Sequence, residues 1–201
     1  MAAVLLIPAL ILAYLIGSIP TAYWLARVWK GIDIRRVGSG NVGATNMLRA
    51  AGPFASLLVF LLDVLKGVLA VELARRLAGA SWAVALAGIA VVAGHDWSFL
   101  LHFNSGKGVS TSFGVMLAVA PPAAAVALGV FLAVVLLSRY VSLGSLLAAL
   151  SLPVFLWASG APVYLLFLGT AMFALVALRH RANLRRLWTG TEHRVRLNRP
   201  T

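Results

Sequence analysis

Long uncharged runs alternate along the chain with short basic or glycine-rich connectors. Residues 1–26 carry no charge, and Gly17-Ser18-Ile19-Pro20 interrupts this run near its end. That interruption reads as a kink inside one retained span, because no basic segment precedes the run as in a secretory leader. Apolar residues resume at Ala50, with Asp63, Lys66 and Glu72 standing inside the second run. A third run, Leu77 to Gly94, leads into Gly94-His95-Asp96-Trp97-Ser98-Phe99. Gly108 to Ser138 is uncharged for 31 residues and broken by Pro121-Pro122, and Tyr140 to Leu178 is divided at Ser159-Gly160-Ala161-Pro162. About 20 apolar residues cross a bilayer. The runs therefore predict helices over about 3–27, 52–77, 79–101, 108–120, 122–138, 141–158 and 162–179, with the one before the proline pair short.

Composition fixes the class. Hydrophobic residues make up 62% of the 201 positions and charged residues only 11%, far below the roughly 25% of soluble domains. The chain reads as an all-α integral membrane protein, one domain over residues 1–201. It has no cysteine, which removes thiol nucleophiles, thiolate metal sites and disulfides. Seventeen Lys and Arg face five Asp and Glu, a net +12, and basic connectors stay cytoplasmic. Arg27, Lys30, Arg35, Arg36 and Arg49 lie in the first connector. Arg179, Arg181, Arg185, Arg186, Arg194, Arg196 and Arg199 lie in the tail. Keeping both, with Lys107 and Arg139, on one side requires seven crossings, N-terminus outside and C-terminus cytoplasmic. That puts 14 of the 17 basic residues inside. No soluble basic module is present, so nucleic acid is not an expected partner.

The connectors on that face carry the chemistry. Gly38-Ser39-Gly40-Asn41-Val42-Gly43-Ala44-Thr45-Asn46, closed by Arg49, is small, polar and glycine-dense. Alone it is an ordinary turn, but its hydroxyls and bare amides also suit a small anion. Gly106-Lys107-Gly108, followed by Ser110 and Thr111, places a point charge between glycines at a helix start, another anion site. It lacks nucleotide P-loop spacing. Ser142, His180 and Asn183 reach the same face. Asp63 and Lys66, three apart on one helix face, fit equally an ion pair joining helices and a substrate contact. This inventory is rich in anion donors and poor in carboxylates. It suits a phosphorylated substrate handled at the bilayer edge and falls short of a metal hydrolase. A transporter of a small phosphorylated solute is the alternative, although the two related halves with broken helices that such folds show are missing.

In order along the chain, the Gly38–Asn46 segment with Arg49, the Gly94-His95…Lys107-Gly108 segment, and Arg179-His180-Arg181-Ala182-Asn183…Gly190-Thr191-Glu192 resemble three signature motifs. They are those of the bacterial acyl-phosphate-dependent glycerol-3-phosphate acyltransferases, the PlsY family. Gly17-Ser18-Ile19-Pro20, Asp63…Lys66-Gly67 and Tyr140-Val141-Ser142-Leu143-Gly144-Ser145 extend the likeness from about Gly17 to Glu192. The resemblance implies a bacterial plasma-membrane enzyme with its site facing the cytoplasm, acting as a monomer without metal or cofactor. It would acylate the 1-hydroxyl of glycerol 3-phosphate from acyl phosphate, giving lysophosphatidic acid and phosphate, with membrane lipid as surroundings. Ser39, Arg49, His180 and Asn183 would then be catalytic. Gly38, Gly40, Asn41, Gly43, Thr45, Asn46, Gly106, Lys107, Gly108 and Ser142 would bind substrate. Asp63, Lys66 and Glu192 would be structural. Two departures stand out: Ser105 where the family commonly has glycine, and Asp96-Trp97-Ser98 in place of an aromatic-proline pair. Either His180 or the substrate's own phosphate could take the hydroxyl proton.

Overall fold

The computed structural model describes residues 2–195. Arg196 and Arg199, counted above among the tail cations, lie outside the described residues. Ten α-helices follow in chain order: α1 Ala2–Ser18, α2 Thr21–Lys30, α3 Ala44–Ala51, α4 Pro53–Ala78, α5 Ser81–Asp96, α6 Val109–Val119, α7 Pro121–Ser138, α8 Val141–Ala158, α9 Val163–Arg179 and α10 Arg181–Trp188. Among the described residues there is no strand. Leu5–Lys30, Pro53–Ala78, Ser81–Leu101, Pro121–Ser138 and Val141–Ala158 are each long and apolar enough to cross a membrane. α9 and α10 together meet the same test but bend by 63° at His180. α6, with 11 residues, is about 16 Å long at 1.5 Å per residue. It is too short to cross a hydrocarbon core about 30 Å thick.

α5 lies at the centre, packed on α1, α4 and α9. Apolar side chains gain nothing by leaving lipid for protein, so helices in a membrane associate through close backbone approach at small residues. The α1–α5 crossing has Gly17 against the Val91 carbonyl and Gly94 against the Tyr14 carbonyl. The α4–α6 crossing has Gly67 against the Thr111 carbonyl and Gly114 against the Val64 carbonyl. A Cβ on Gly114 would stand 2.0 Å from that carbonyl oxygen, and backbone cannot rotate away. Gly114→Ala is expected to cost about 2–3 kcal/mol by overpacking, read as a lower Tm in detergent.

The α1–α2 break, with α1 ending at Ser18 and α2 starting at Thr21, exposes carbonyls that a continuous helix would satisfy. Two buried side chains take them. Lys66 Nζ donates to Ile19 O at 2.8 Å, and the Ser98 hydroxyl donates to Ser18 O. Lys66 also pairs with Asp63 at 2.7 Å, and Asp63 Oδ1 accepts from the Thr21 hydroxyl at 2.6 Å. The ion pair thus fastens α4 to the kink in the first span. Ser98, at φ −64°, keeps the backbone angle that proline would fix and adds a donor proline lacks.

α7 packs closely on α8, much less on α6, and has no extensive packing on α4. Its buried residues are Ala123, Ala124 and Ala127, all in its first third. One cavity is lined by Ser112, Phe113 and Met116 of α6 and by Ala124, Ala127, Phe131 and Val135 of α7, so the two helices diverge from Ala120 like the arms of a V.

Candidate functional site

The glycine-serine loop is organised by Asn46, which is fully buried. Its Nδ2 donates to Ile34 O at 3.1 Å and Val37 O at 2.9 Å. Its Oδ1 accepts from the Ser39 amide at 3.0 Å. Gly38 sits at φ +58°, and a Cβ there would meet Asn46 Oδ1 at 2.4 Å. Glycine is thus required twice over. Because Asn46 and Val37 take the amides of Ser39 and Gly40, neither is left for an anion. The amides of Asn41 to Thr45 make no hydrogen bond among the described residues. Ala44 and Thr45 begin α3, whose N-cap Gly43 supplies no side-chain cap. A bare helix start of this kind attracts negative charge.

The second loop is held from behind. The Gly106 amide donates to His95 O at 3.1 Å. Arg179 Nε donates to Gly106 O at 2.9 Å, with its guanidinium 5.4 Å from the Trp97 ring centroid. Gly106 has no room for a side chain, since a Cβ would lie 1.9 Å from His95 Nε2. Gly108 lies against the Asp96 carboxylate in the same way, at 3.0 Å. Lys107 is left to point inward, where its Nζ donates to Asn183 Oδ1.

Asn183 joins this loop to the tail. Its Nδ2 donates to Glu192 Oε1 at 2.6 Å, and Arg186 Nε donates to Glu192 Oε2 at 2.7 Å. A lysine can only donate and a carboxylate only accept, so a single amide orientation satisfies both neighbours. Burial pulls the Glu192 carboxyl upward, but the hydrogen bonds from Asn183 and Arg186 outweigh it and hold it below its ordinary value. Ser142 lies beside the same carboxylate, yet its Oγ falls short of hydrogen-bonding geometry with any described residue. Burial pushes the Lys107 ammonium down to about 8, against the upward pull of Glu192 and helped by the charges of Arg186, Arg179 and Arg49. His180 Nδ1 lies 2.8 Å from Val176 O. A carbonyl only accepts, so Nδ1 carries the proton and Nε2 of the neutral ring keeps its lone pair.

One cavity of about 650 Å³ gathers these groups. Ser39, Asn41, Gly43, Thr45, Asn46, Arg49, Lys107, Gly108, Ser142, His180, Asn183, Asp63 and Glu192 line it. Gly38, Gly40, Gly106 and Lys66 stand behind the wall and shape it. Ser110, noted above beside the Lys107 loop, also lines it, as do His95, Ser112, Arg186 and His193, which sequence reasoning did not select as site residues. Arg186 was visible only as one more tail cation; its place depends on its contact with Glu192, which the chain after α10 brings back against it. The terminal nitrogens of Arg186 make no hydrogen bond among the described residues. Three cations, Arg49, Lys107 and Arg186, thus ring the polar end against one glutamate. Below them the walls turn apolar, through Phe60, Phe113, Phe131 and Leu132.

Residues 7–190 match the family model described as glycerol-3-phosphate acyltransferase. A glycerol-3-phosphate acyltransferase of Synechococcus sp. (strain JA-3-3Ab) is 46% identical over 182 residues, covering 90% of this chain and 89% of that one. Crystal structures of PlsY, an integral membrane glycerol 3-phosphate acyltransferase, are similar throughout. The glycerol 3-phosphate form superposes with a TM-score of 0.90 at 44% identity, covering 95% of this chain and 96% of that one. The lysophosphatidic acid form gives 0.88 at 43%, covering 95% of each.

Proposed function

This chain belongs to the glycerol-3-phosphate acyltransferase family, and from that premise we propose that it moves a fatty acyl group from acyl phosphate to the 1-hydroxyl of glycerol 3-phosphate, releasing lysophosphatidic acid and inorganic phosphate. The observation that carries this reading is a single cavity with a cationic end and an apolar end. Two phosphates and one hydrocarbon chain match that division.

Acyl phosphate is a mixed anhydride, so the carbonyl arrives activated. The C1 hydroxyl oxygen attacks the carbonyl carbon, the carbonyl–oxygen bond to phosphate breaks, and phosphate leaves with the bonding pair. Negative charge grows on the carbonyl oxygen and on the leaving phosphate. Ser39 and the free amides at the start of α3 are placed to stabilise it, a role worth roughly two to three orders of magnitude per donor in comparable sites. Arg49, Lys107 and Arg186 hold the phosphates, and fixing two anions side by side lowers the barrier further. His180 Nε2, whose lone pair the Val176 hydrogen bond leaves free, or the substrate's own phosphate accepts the hydroxyl proton. Asn46, Gly38 and Gly106 act indirectly, by fixing the loops. Glu192 orients Asn183 and Arg186. The basic connectors support a plasma-membrane bundle of seven apolar helices, N-terminus outside and this cavity open to the cytoplasm, with the short α6 entering the bilayer without crossing its full thickness.

Purified protein in vesicles, given acyl phosphate and glycerol 3-phosphate, should release phosphate and lysophosphatidic acid, with acyl-coenzyme A a poor competing donor. Equal turnover of acyl-coenzyme A would overturn the donor assignment. Accumulation of glycerol 3-phosphate inside vesicles without turnover would establish the transporter reading instead.

Lys107 gives this site a pH signature. A lysine is charged below its pKa, and here that value is about 8. The glycerol 3-phosphate KM should be level between about pH 7 and 8 and climb up to about tenfold per unit above that, because the ammonium is lost while the phosphate stays charged. Lys107→Ala should raise KM throughout and flatten the climb. A Lys107→Ala variant whose glycerol 3-phosphate KM equals that of the wild type across this range would exclude Lys107 as a phosphate ligand.

A further inference from the structure

The apolar end of the cavity has a definite floor. α6 and α7 share the single joint residue Ala120, as C-cap of one and N-cap of the other. Met116 lies one helical turn before it and Ala124 one turn after, both fully buried. Leu152 of α8, also buried, closes the third side. All three line the same cavity as Lys107 and His180. Above the floor, Ala127, Leu128, Phe131, Leu132 and Val135 follow one flank of α7 toward the cationic end.

Helix rise measures the depth. Ala124 lies about 21 Å along α7 from Ser138, and Leu152 about 15 Å along α8 from Ser142, at 1.5 Å per residue. One leaflet of a 30 Å hydrocarbon core is about 15 Å deep. The wedge is therefore as deep as one full lipid chain and then stops. Resting on the acyltransferase reading above, we infer that Met116, Ala124 and Leu152 form the end wall of the acyl-chain site and set the longest chain the enzyme accepts efficiently. The chain enters the V between α6 and α7, and its terminal methyl meets the joint. Small residues at 124 and 127 keep the wedge open to its apex, and a larger side chain at either would raise the floor toward the mouth.

The test is a chain-length series of acyl donors from decanoyl to octadecanoyl, measured as relative kcat/KM in detergent micelles. Ala127→Leu should lower the hexadecanoyl-to-dodecanoyl ratio at least tenfold, because the longer chain loses its last turn of space. Met116→Ala, which deepens the wedge, should raise the octadecanoyl-to-hexadecanoyl ratio at least threefold. Ratios unchanged in both variants would overturn the proposal and place the chain's end in lipid, through the open side between α4 and α7. A loss shared equally by all lengths would also overturn it. Folding is checked by gel-filtration profile and Tm, and if Ala127→Leu fails to fold, Met116→Ala decides. The series is run with whichever donor turns over, so failure of the wall and failure of the acyl-phosphate assignment are separate outcomes.

Discussion

Asn183→Asp is expected to lower kcat/KM by about 10²–10³-fold, the scale of losing one preorganised polar group at a reacting centre. The substitution replaces NH₂ by O and changes almost nothing in shape. It does reverse one hydrogen bond. Asn183 Nδ2 now donates to Glu192 Oε1 at 2.6 Å, and aspartate would set an anion against that carboxylate. The repulsion is relieved by protonating one acid or by swinging the side chain away. Swinging away releases Glu192 from Asn183's place, while a shared proton keeps the contact but removes one negative charge beside Arg186 and Lys107. An added carboxylate also holds the Lys107 ammonium, which should be offering its protons to phosphate. Asn183→Ala keeps neither contact and should fall comparably. If Asn183 merely filled space, the near-isosteric Asp variant would retain most activity while Ala lost it. Steady-state phosphate release, with kcat and KM separated for glycerol 3-phosphate, distinguishes the two.

Long apolar runs and the basic connectors were readable because hydropathy and charge are summed over many residues, so single errors do not matter. Five helices long enough to cross a membrane occupy those runs. Two short helices were not anticipated. α3 follows a glycine cluster and α10 follows a charged one, so local composition argues for loop in both cases. Each is held by what its polar face touches, Asn46 against the first connector and Asn183 against Lys107 and Glu192. The same limit applies to individual residues. A lysine between glycines and a Gly-Ser-Gly loop announce anion chemistry from adjacent residues alone. That Gly106 serves His95 and Gly108 serves Asp96 follows only from the close approach of α5. The glycines read as backbone for phosphate turn out, at 38 and 106, to make room for neighbouring side chains.

The Asp63–Lys66 pair, for which sequence left two roles open, has an expected outcome of its own. Both side chains are almost fully buried. Removing one partner strands the other charge, which typically costs about 3–5 kcal/mol. Asp63→Leu is therefore expected to unfold the protein at much lower temperature, or to prevent its recovery in folded form. The double variant Asp63→Leu/Lys66→Met removes both charges and should regain most of that loss, as buried pairs replaced by apolar groups commonly do. Recovery should be incomplete, because Ile19 O would lose its bond from Lys66 and the Thr21 hydroxyl its acceptor. The comparison also decides function. Asp63 lines the cavity, and His95 Nδ1 stands 3.7 Å from its carboxylate. If the pair only fastens α4 to the kink of the first span, the folded double variant will keep kcat/KM within about an order of magnitude. A stable double variant with no turnover would move Asp63 from the scaffold into the reaction.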